Sequence, residues 1–78
     1  SVLVVEDNTE NREMIGRQLT KAGWNILEAE NGRVALEIMQ QERPNVILLD
    51  LMMPEMDGFE FIRELRQHPD WRSLPVIV

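Results

Sequence analysis

Residues 2–8 read Val-Leu-Val-Val-Glu-Asp-Asn, and residues 46–50 read Val-Ile-Leu-Leu-Asp. In both segments a run of four apolar residues ends at an acid. A short apolar run without polar alternation is typical of a strand that is buried on both faces. The two segments therefore predict two interior strands of one sheet, each followed directly by carboxylates.

Amphipathic segments separate the apolar runs. The first predicts a helix over residues 9–22, with Asn8 or Thr9 as its N-cap and Gly23 as its C-terminal stop. The apolar side chains of this segment recur at helical spacing, at Met14, Ile15, Leu19 and Ala22. Together with the strand at residues 2–5, this helix forms a first strand–helix unit.

The same alternation continues to the end of the sequence. Residues 24–29 and 76–78 predict two more strands, Pro44 ends a second helix, and a third helix runs from residue 58 to His68. The predicted apolar faces are Val34, Ala35, Ile38 and Met39 in the second helix and Phe59, Ile62 and Leu65 in the third. Strands that alternate with helices across short connections predict a single α/β domain over residues 1–78, with a parallel sheet and helices on both faces.

Composition excludes several functional classes. The net charge of −6 and the pI of about 4.6 argue against nucleic-acid binding by this segment, because such surfaces are basic. No apolar run approaches the roughly 20 residues that span a bilayer, so no membrane insertion is expected. The absence of cysteine excludes disulfides and thiolate metal sites and is compatible with a cytoplasmic location.

Three acids stand at the predicted ends of two strands: Glu6 and Asp7 after the first, and Asp50 after the third. Ligands of open parallel sheets bind beyond the carboxyl ends of the strands. If the two strands are neighbours, these carboxylates meet, and a cation relieves their repulsion. Carboxylate oxygens without His or Cys favour a hard ion such as Mg²⁺, which also binds phosphate. An Asp at such a site can act as a nucleophile toward a phosphoryl donor.

Two separated motifs carry a resemblance to a known family. Val-Val-Glu-Asp-Asn at positions 4–8 and Asp-Leu-Met-Met-Pro-Glu-Met-Asp-Gly at positions 50–58 resemble the motifs of the response-regulator receiver domains of two-component signalling. The resemblance extends in order over all 78 residues. It implies a flavodoxin-like fold that is truncated after the fourth strand, because receivers of this family have five strand–helix units.

The resemblance also implies a role for each site residue. Asp50 is the phosphoacceptor, and Asp7 and Asp50 supply side-chain oxygens to Mg²⁺. The backbone carbonyl of Met52 is a further ligand, and Glu6 supports the metal through water. The expected phosphoryl donor is a sensor histidine kinase or a phosphotransfer protein.

Other conspicuous residues receive structural interpretations. Pro54 and Gly58 shape the loop after Asp50, and Asp57 is interpreted as the N-cap of the third helix. The methionines Met52, Met53 and Met56 are not expected to bind a soft metal, because the neighbouring oxygens favour a hard ion. His68 is expected to have no catalytic role, and the tryptophans Trp24 and Trp71 are expected to cover apolar surface.

Two residues that the family uses later in its domain lie outside the 78 residues. They are a hydroxyl residue just beyond the fourth strand and a lysine at the end of the fifth strand. We therefore expect these 78 residues alone to bind Mg²⁺ weakly and to accept phosphate poorly. The fourth strand, which is interior in the family, would become an apolar edge, which predicts a homodimer, a swapped assembly or pairing with a complementing fragment.

Two alternatives to a signalling switch remain at this point. One is an enzyme, a Mg²⁺-dependent phosphatase or mutase with an Asp nucleophile. Such enzymes usually carry a second Asp two residues after the nucleophile, where this sequence has Met52. The other is a degenerate receiver that acts only as an interaction module. We expect no enzymatic turnover.

Overall fold

Strands and helices alternate along the chain in the computed structural model, which describes residues 1–50 and 58–78. The strands of the described residues are β1 (Val2–Val5), β2 (Ile26–Ala29), β3 (Val46–Leu49) and β4 (Val76–Ile77). The helices are α1 (Thr9–Lys21), α2 (Gly32–Gln41) and α3 (Gly58–Gln67). Every predicted element is present, although β2 begins two residues later than predicted, at Ile26 rather than Trp24.

The strands form one parallel sheet in the order β2-β1-β3-β4. β1 is central, and Val5 is in register with Ala29 of β2 and with Leu49 of β3. The predicted parallel sheet and the predicted adjacency of the first and third strands are both confirmed. The carboxyl ends of the three strands are therefore level with one another.

The sheet carries helices on both faces, as predicted. Alternate side chains of β1 and β3 pack on one face against α2 and α3, and this core also includes Trp71 and Leu74. On the opposite face, Ile15 of α1 lines an apolar groove with Val4 and Leu48. The larger core thus lies under α2 and α3.

Helix α1 packs differently from the prediction. Met14 is 44% exposed and Ala22 is also exposed, whereas the buried residue of the helix is Gly16. A Cβ atom at Gly16 would lie 3.4 Å from Glu28 Oε2, so the helix approaches β2 closely at this position. The predicted face was therefore right for Ile15 and Leu19, which are half-buried, and wrong for Met14 and Ala22. Spacing alone does not reveal that Gly16 rather than Met14 lies against β2.

The buried face of α3 also differs from the predicted one. Phe59 is 61% exposed, whereas Phe61 is fully buried and packs with Leu65 in the core. Residues 61 and 65 are one helical turn apart, so they share a face that Phe59 does not. The sequence contained both spacings, and the prediction chose the wrong aromatic residue.

Smaller structural predictions have mixed outcomes. Asn8 is confirmed as the N-cap of α1, since its side chain accepts a hydrogen bond from Asn11 N at 2.9 Å. Trp71 is buried and stacks on His68 with ring centroids 3.8 Å apart, whereas Trp24 is 47% exposed. The predictions for residues 51–57, including the Asp57 cap and the loop role of Pro54, lie outside the described residues. Across residues 1–50 and 58–78, no helix has the length and apolar character that crossing a bilayer requires.

Two glycines offer a matched test of this packing. Gly16 has room for a Cβ atom at ordinary contact distance, so we expect Gly16→Ala to raise the free energy of unfolding by roughly 0.5–1 kcal/mol through helix propensity. Gly23 has a φ of +96°, so Gly23→Ala should lower it by about 1–2 kcal/mol. Urea unfolding followed by circular dichroism measures both free energies. A stabilising Gly23→Ala would contradict the left-handed backbone conformation of Gly23.

Candidate functional site

The carboxyl ends of β1 and β3 are joined by a hydrogen bond beyond the strands themselves. Asp50 N donates to Val5 O at 3.0 Å, and on the other side of β1 Glu6 N donates to Ala29 O at 3.0 Å. The residues that follow these strands are therefore held side by side by main-chain bonds. This pairing fixes where the side chains of Glu6 and Asp50 begin.

The three acids predicted to converge do so. One carboxylate oxygen from each of Glu6, Asp7 and Asp50 lies within 4.8 Å of the others. Glu6 and Asp50 are half-buried and Asp7 is exposed, so the cluster opens to solvent at one side. Met52, whose carbonyl was expected to complete the site, lies outside the described residues. The geometry brings the predicted carboxylates together, and their chemical roles stay predictions.

Glu6 is held at two points by the first turn of α1. Asn11 Nδ2 donates to Glu6 Oε1 at 3.2 Å, and Arg12 Nη1 donates to the main-chain carbonyl of Glu6 at 2.8 Å. The other carboxylate oxygen, Glu6 Oε2, is buried and accepts no hydrogen bond from the described residues. A buried carboxylate oxygen in that state calls for a cation or a proton.

Asn11 and Arg12 were not among the predicted site residues. Asn8 caps α1, so Asn11 occupies the third helical position, from which a side chain reaches back past the start of the helix. Arg12 Nε also lies 3.5 Å from Glu28 Oε1. The Arg12 side chain therefore contacts both Glu6, which follows β1, and Glu28 of β2. The spacing of three residues between Asn8 and Asn11 could have indicated that the Asn11 side chain reaches back to Glu6. That inference requires knowing that Asn8, and not Thr9, is the N-cap.

The environment shifts the protonation of Glu6. Burial raises the pKa of the Glu6 carboxyl above its ordinary value of 4.5, and the side chain of Asp50 raises it further, because it can accept a hydrogen bond from the protonated form and repels the charged form. The Asn11 amide lowers this pKa, because it donates to the charged form, and the Asp7 carboxylate raises it. The net direction is upward, so the Glu6 carboxyl resists ionisation in the absence of a metal.

The donor set fits a hard divalent cation. Among the residues that the structure describes, the cluster supplies carboxylate oxygens and no nitrogen or sulfur ligand, which is the combination that Mg²⁺ prefers. The buried Glu6 Oε2 is an acceptor that such an ion, or a water bound to it, would satisfy. The start of α1, where Asn8 caps the helix, adds a favourable field for the negative charge of the cluster.

Comparison with known proteins agrees with this arrangement. Residues 2–78 match the profile of the family described as response regulator receiver domain. The chain belongs to this family. Its sheet order and its helices on both faces are thus those of a flavodoxin-like receiver fold.

Individual relatives of this receiver domain support the assignment. Response regulator MprA of Mycolicibacterium vanbaalenii is 40% identical over 77 residues, which are 99% of this chain and 32% of that protein. Histidine kinase P4 of Formosa agariphila is 40% identical over 78 residues, which are all of this chain and 6% of that protein. The crystal structure of chemotaxis protein CheY4 of Vibrio cholerae superposes with a TM-score of 0.92 at 37% identity, covering 96% of this chain and 62% of that one. The chain thus spans less than two thirds of the length of each.

The raised pKa of Glu6 predicts how stability depends on pH. Because Glu6 holds its proton more tightly in the folded state, its contribution to stability is present below pH 4.5 and is lost as pH rises through the raised folded pKa. In metal-free buffer with a chelator, wild type should therefore lose stability relative to Glu6→Gln between pH 4.5 and neutral pH. Urea midpoints across this range measure the difference.

The control for this measurement is Gln18→Ala, which replaces an exposed, uncharged residue of α1. Because neither side chain ionises, its urea midpoint should run parallel to that of wild type over the same pH range. If the Glu6→Gln midpoint also runs parallel to that of wild type at every pH, the proposed environment of Glu6 is wrong.

Proposed function

We propose that this receiver domain is a Mg²⁺-dependent phosphoacceptor of two-component signalling, in which Asp50 carries the phosphoryl group. The observation that carries the proposal is the convergence of Glu6, Asp7 and Asp50 within 4.8 Å at the ends of neighbouring parallel strands. A lone acid at a strand end is commonly a solvated turn residue. Three at one point, with a buried oxygen among them, are better explained by a cation and an anionic substrate.

Asp7 and Asp50 would hold Mg²⁺ through their side chains and Glu6 through water, with the Met52 carbonyl as a further ligand by family resemblance. When bound, Mg²⁺ neutralises negative charge on the transferring phosphoryl group. The described residues of the chain position the nucleophile. The Asp50 main chain is anchored to β1 through its bond to Val5, which fixes the position of the nucleophile.

The transfer step is a displacement at phosphorus. A carboxylate oxygen of Asp50 attacks the phosphorus of a phosphohistidine, and the P–N bond breaks as the new P–O bond forms. The imidazole leaves with the electron pair of that bond and takes up a proton from water. The product is an aspartyl phosphate, a mixed anhydride whose hydrolysis resets the site.

A sensor histidine kinase or a phosphotransfer protein is the proposed donor. One relative of similar sequence is itself named a histidine kinase, and this chain matches 6% of it, so similar receivers occur inside larger kinases. We propose a cytoplasmic location and no enzymatic turnover beyond the transfer itself. The charge of −6 supports the proposal that this segment does not contact nucleic acid.

Phosphorylation of Asp50 is testable by intact mass measurement. In Mg²⁺ and acetyl phosphate we expect slow, substoichiometric addition of one phosphoryl group to the 78-residue chain. A lysine near the acids would stabilise the negative charge of the phosphoryl oxygens, but the one lysine of the chain, Lys21, lies at the end of α1. Chelation of Mg²⁺ or Asp50→Asn should abolish it, and hydroxylamine should remove it because an acyl phosphate is electrophilic. The exposed acid Asp70 offers a control, since Asp70→Asn should leave labelling unchanged. Labelling that survives Asp50→Asn would contradict the proposal.

The apolar edge of β4 supports a second, structural proposal. Ile77 is 57% exposed and Val78 is 72% exposed, and β4 lies at the end of the described strand order. We propose that the 78 residues on their own associate through this edge as a homodimer or swapped assembly, or pair with a complementing fragment.

This association is testable by sedimentation velocity over a range of concentrations. Wild type should sediment faster as concentration rises, and Ile77→Lys should stay monomeric, because a charge on the edge opposes strand pairing. A substitution at another exposed apolar residue, Phe59→Lys, serves as the control and should associate like wild type. A monomeric wild type at high concentration would contradict the proposal.

A further inference from the structure

Asn11 contacts the acidic cluster without belonging to it. Its side-chain amide donates to Glu6 Oε1 at 3.2 Å, and its main-chain N–H is separately satisfied by the Asn8 side chain at 2.9 Å. Capping of the helix therefore uses the main-chain N–H of Asn11, and its side-chain amide is available to donate to Glu6.

The hydrogen bond divides the two oxygens of the Glu6 carboxylate. Oε1 receives the Asn11 amide, whereas Oε2 is buried and accepts no bond from the described residues. A carboxylate can rotate about its terminal bond, which is a soft torsion. An amide donor on one oxygen removes that freedom and leaves the other oxygen in a defined position.

The Glu6 backbone is fixed independently of its side chain. Arg12 Nη1 donates to the Glu6 carbonyl at 2.8 Å, and Glu6 N donates to Ala29 O at 3.0 Å. Because both bonds hold the main chain of Glu6, the conformational freedom that remains is that of its side chain, including the orientation of the carboxylate. Asn11 is the residue that contacts it from α1.

We propose that Asn11 is a positioning residue for the cation site, holding the Glu6 carboxylate so that Oε2 faces the position where Asp7 and Asp50 converge. The inference rests on the proposed function, because it assumes that a divalent cation binds among these acids. Outer-shell hydrogen bonds to metal-binding groups commonly decide affinity, because they spare the ligand the cost of ordering on binding.

The test is a Mg²⁺ titration followed by ¹H–¹⁵N NMR on wild type, Asn11→Ala and Gln18→Ala. We expect Asn11→Ala to weaken Mg²⁺ binding about tenfold, the lower end of the effect of outer-shell partners. Gln18 is an exposed residue of the same helix, so Gln18→Ala should leave the affinity unchanged. Alanine is a better helix former than asparagine, so a purely structural role for Asn11 predicts no such loss. An Asn11→Ala affinity equal to that of wild type would overturn the inference.

A double-mutant cycle shows whether Asn11 acts through Glu6. In a Glu6→Ala background the bond is already gone, so adding Asn11→Ala should cause no further loss of Mg²⁺ affinity. An equal loss in both backgrounds would mean that Asn11 acts on the cation by another route, and it would overturn the inference. A wild type that binds no Mg²⁺ would refute the proposed function as well, whereas failure of the cycle alone leaves that function standing.

A readout without metal completes the test. The side-chain amide protons of Asn11 should shift on Glu6→Ala in the metal-free protein, because the acceptor is lost, and should shift little on Asp7→Ala. Asn11→Gln keeps an amide donor on a longer side chain and should recover part of the Mg²⁺ affinity that Asn11→Ala loses. Asn11 amide signals that do not respond to Glu6→Ala would contradict the proposed contact.

Discussion

The parallel pairing of β1 with β3 is the constraint on which the site depends. Val5 is in register with Leu49, and the bond from Asp50 N to Val5 O continues the pairing one residue further. A shift of one residue in this register would turn the side chains of β3 to the opposite face of the sheet and move Asp50 out of line with Glu6. The site is therefore specified by the apolar side chains that set the register, although none of them belongs to the acidic cluster itself.

The same arrangement concentrates negative charge, which costs stability in the absence of a cation. Burial and the neighbouring acids raise the pKa of Glu6, while the Asn11 amide opposes them. Glu6 Oε2 is left buried without a hydrogen bond from the described residues. If a divalent cation binds among these acids, as proposed, it would relieve this cost, and metal binding would favour the folded state. In the proposed function, this coupling would make the site respond to a cation and an anionic phosphoryl group together.

The order of strands and helices followed from the sequence, because continuous apolar runs and amphipathic segments differ in period. The acids of the site followed as well, since residues after parallel strands share one edge of the sheet. Packing detail did not follow. The predicted faces of α1 and α3 included Met14 and Phe59, which are exposed, because helical spacing cannot show that Gly16 makes a close approach or that Phe61 faces the core. Asn11 was missed because its contact depends on which residue caps α1.

Replacement of Mg²⁺ by the paramagnetic ion Mn²⁺ tests the central claim most directly, since Mn²⁺ broadens the NMR signals of nuclei near the bound ion. The account predicts that substoichiometric Mn²⁺ broadens the amide signals of Glu6, Asp7 and Asp50 together, and that excess Mg²⁺ restores them. Broadening centred on other acids, such as Glu13 and Glu28, or broadening of Asp50 without Glu6 and Asp7, would contradict it.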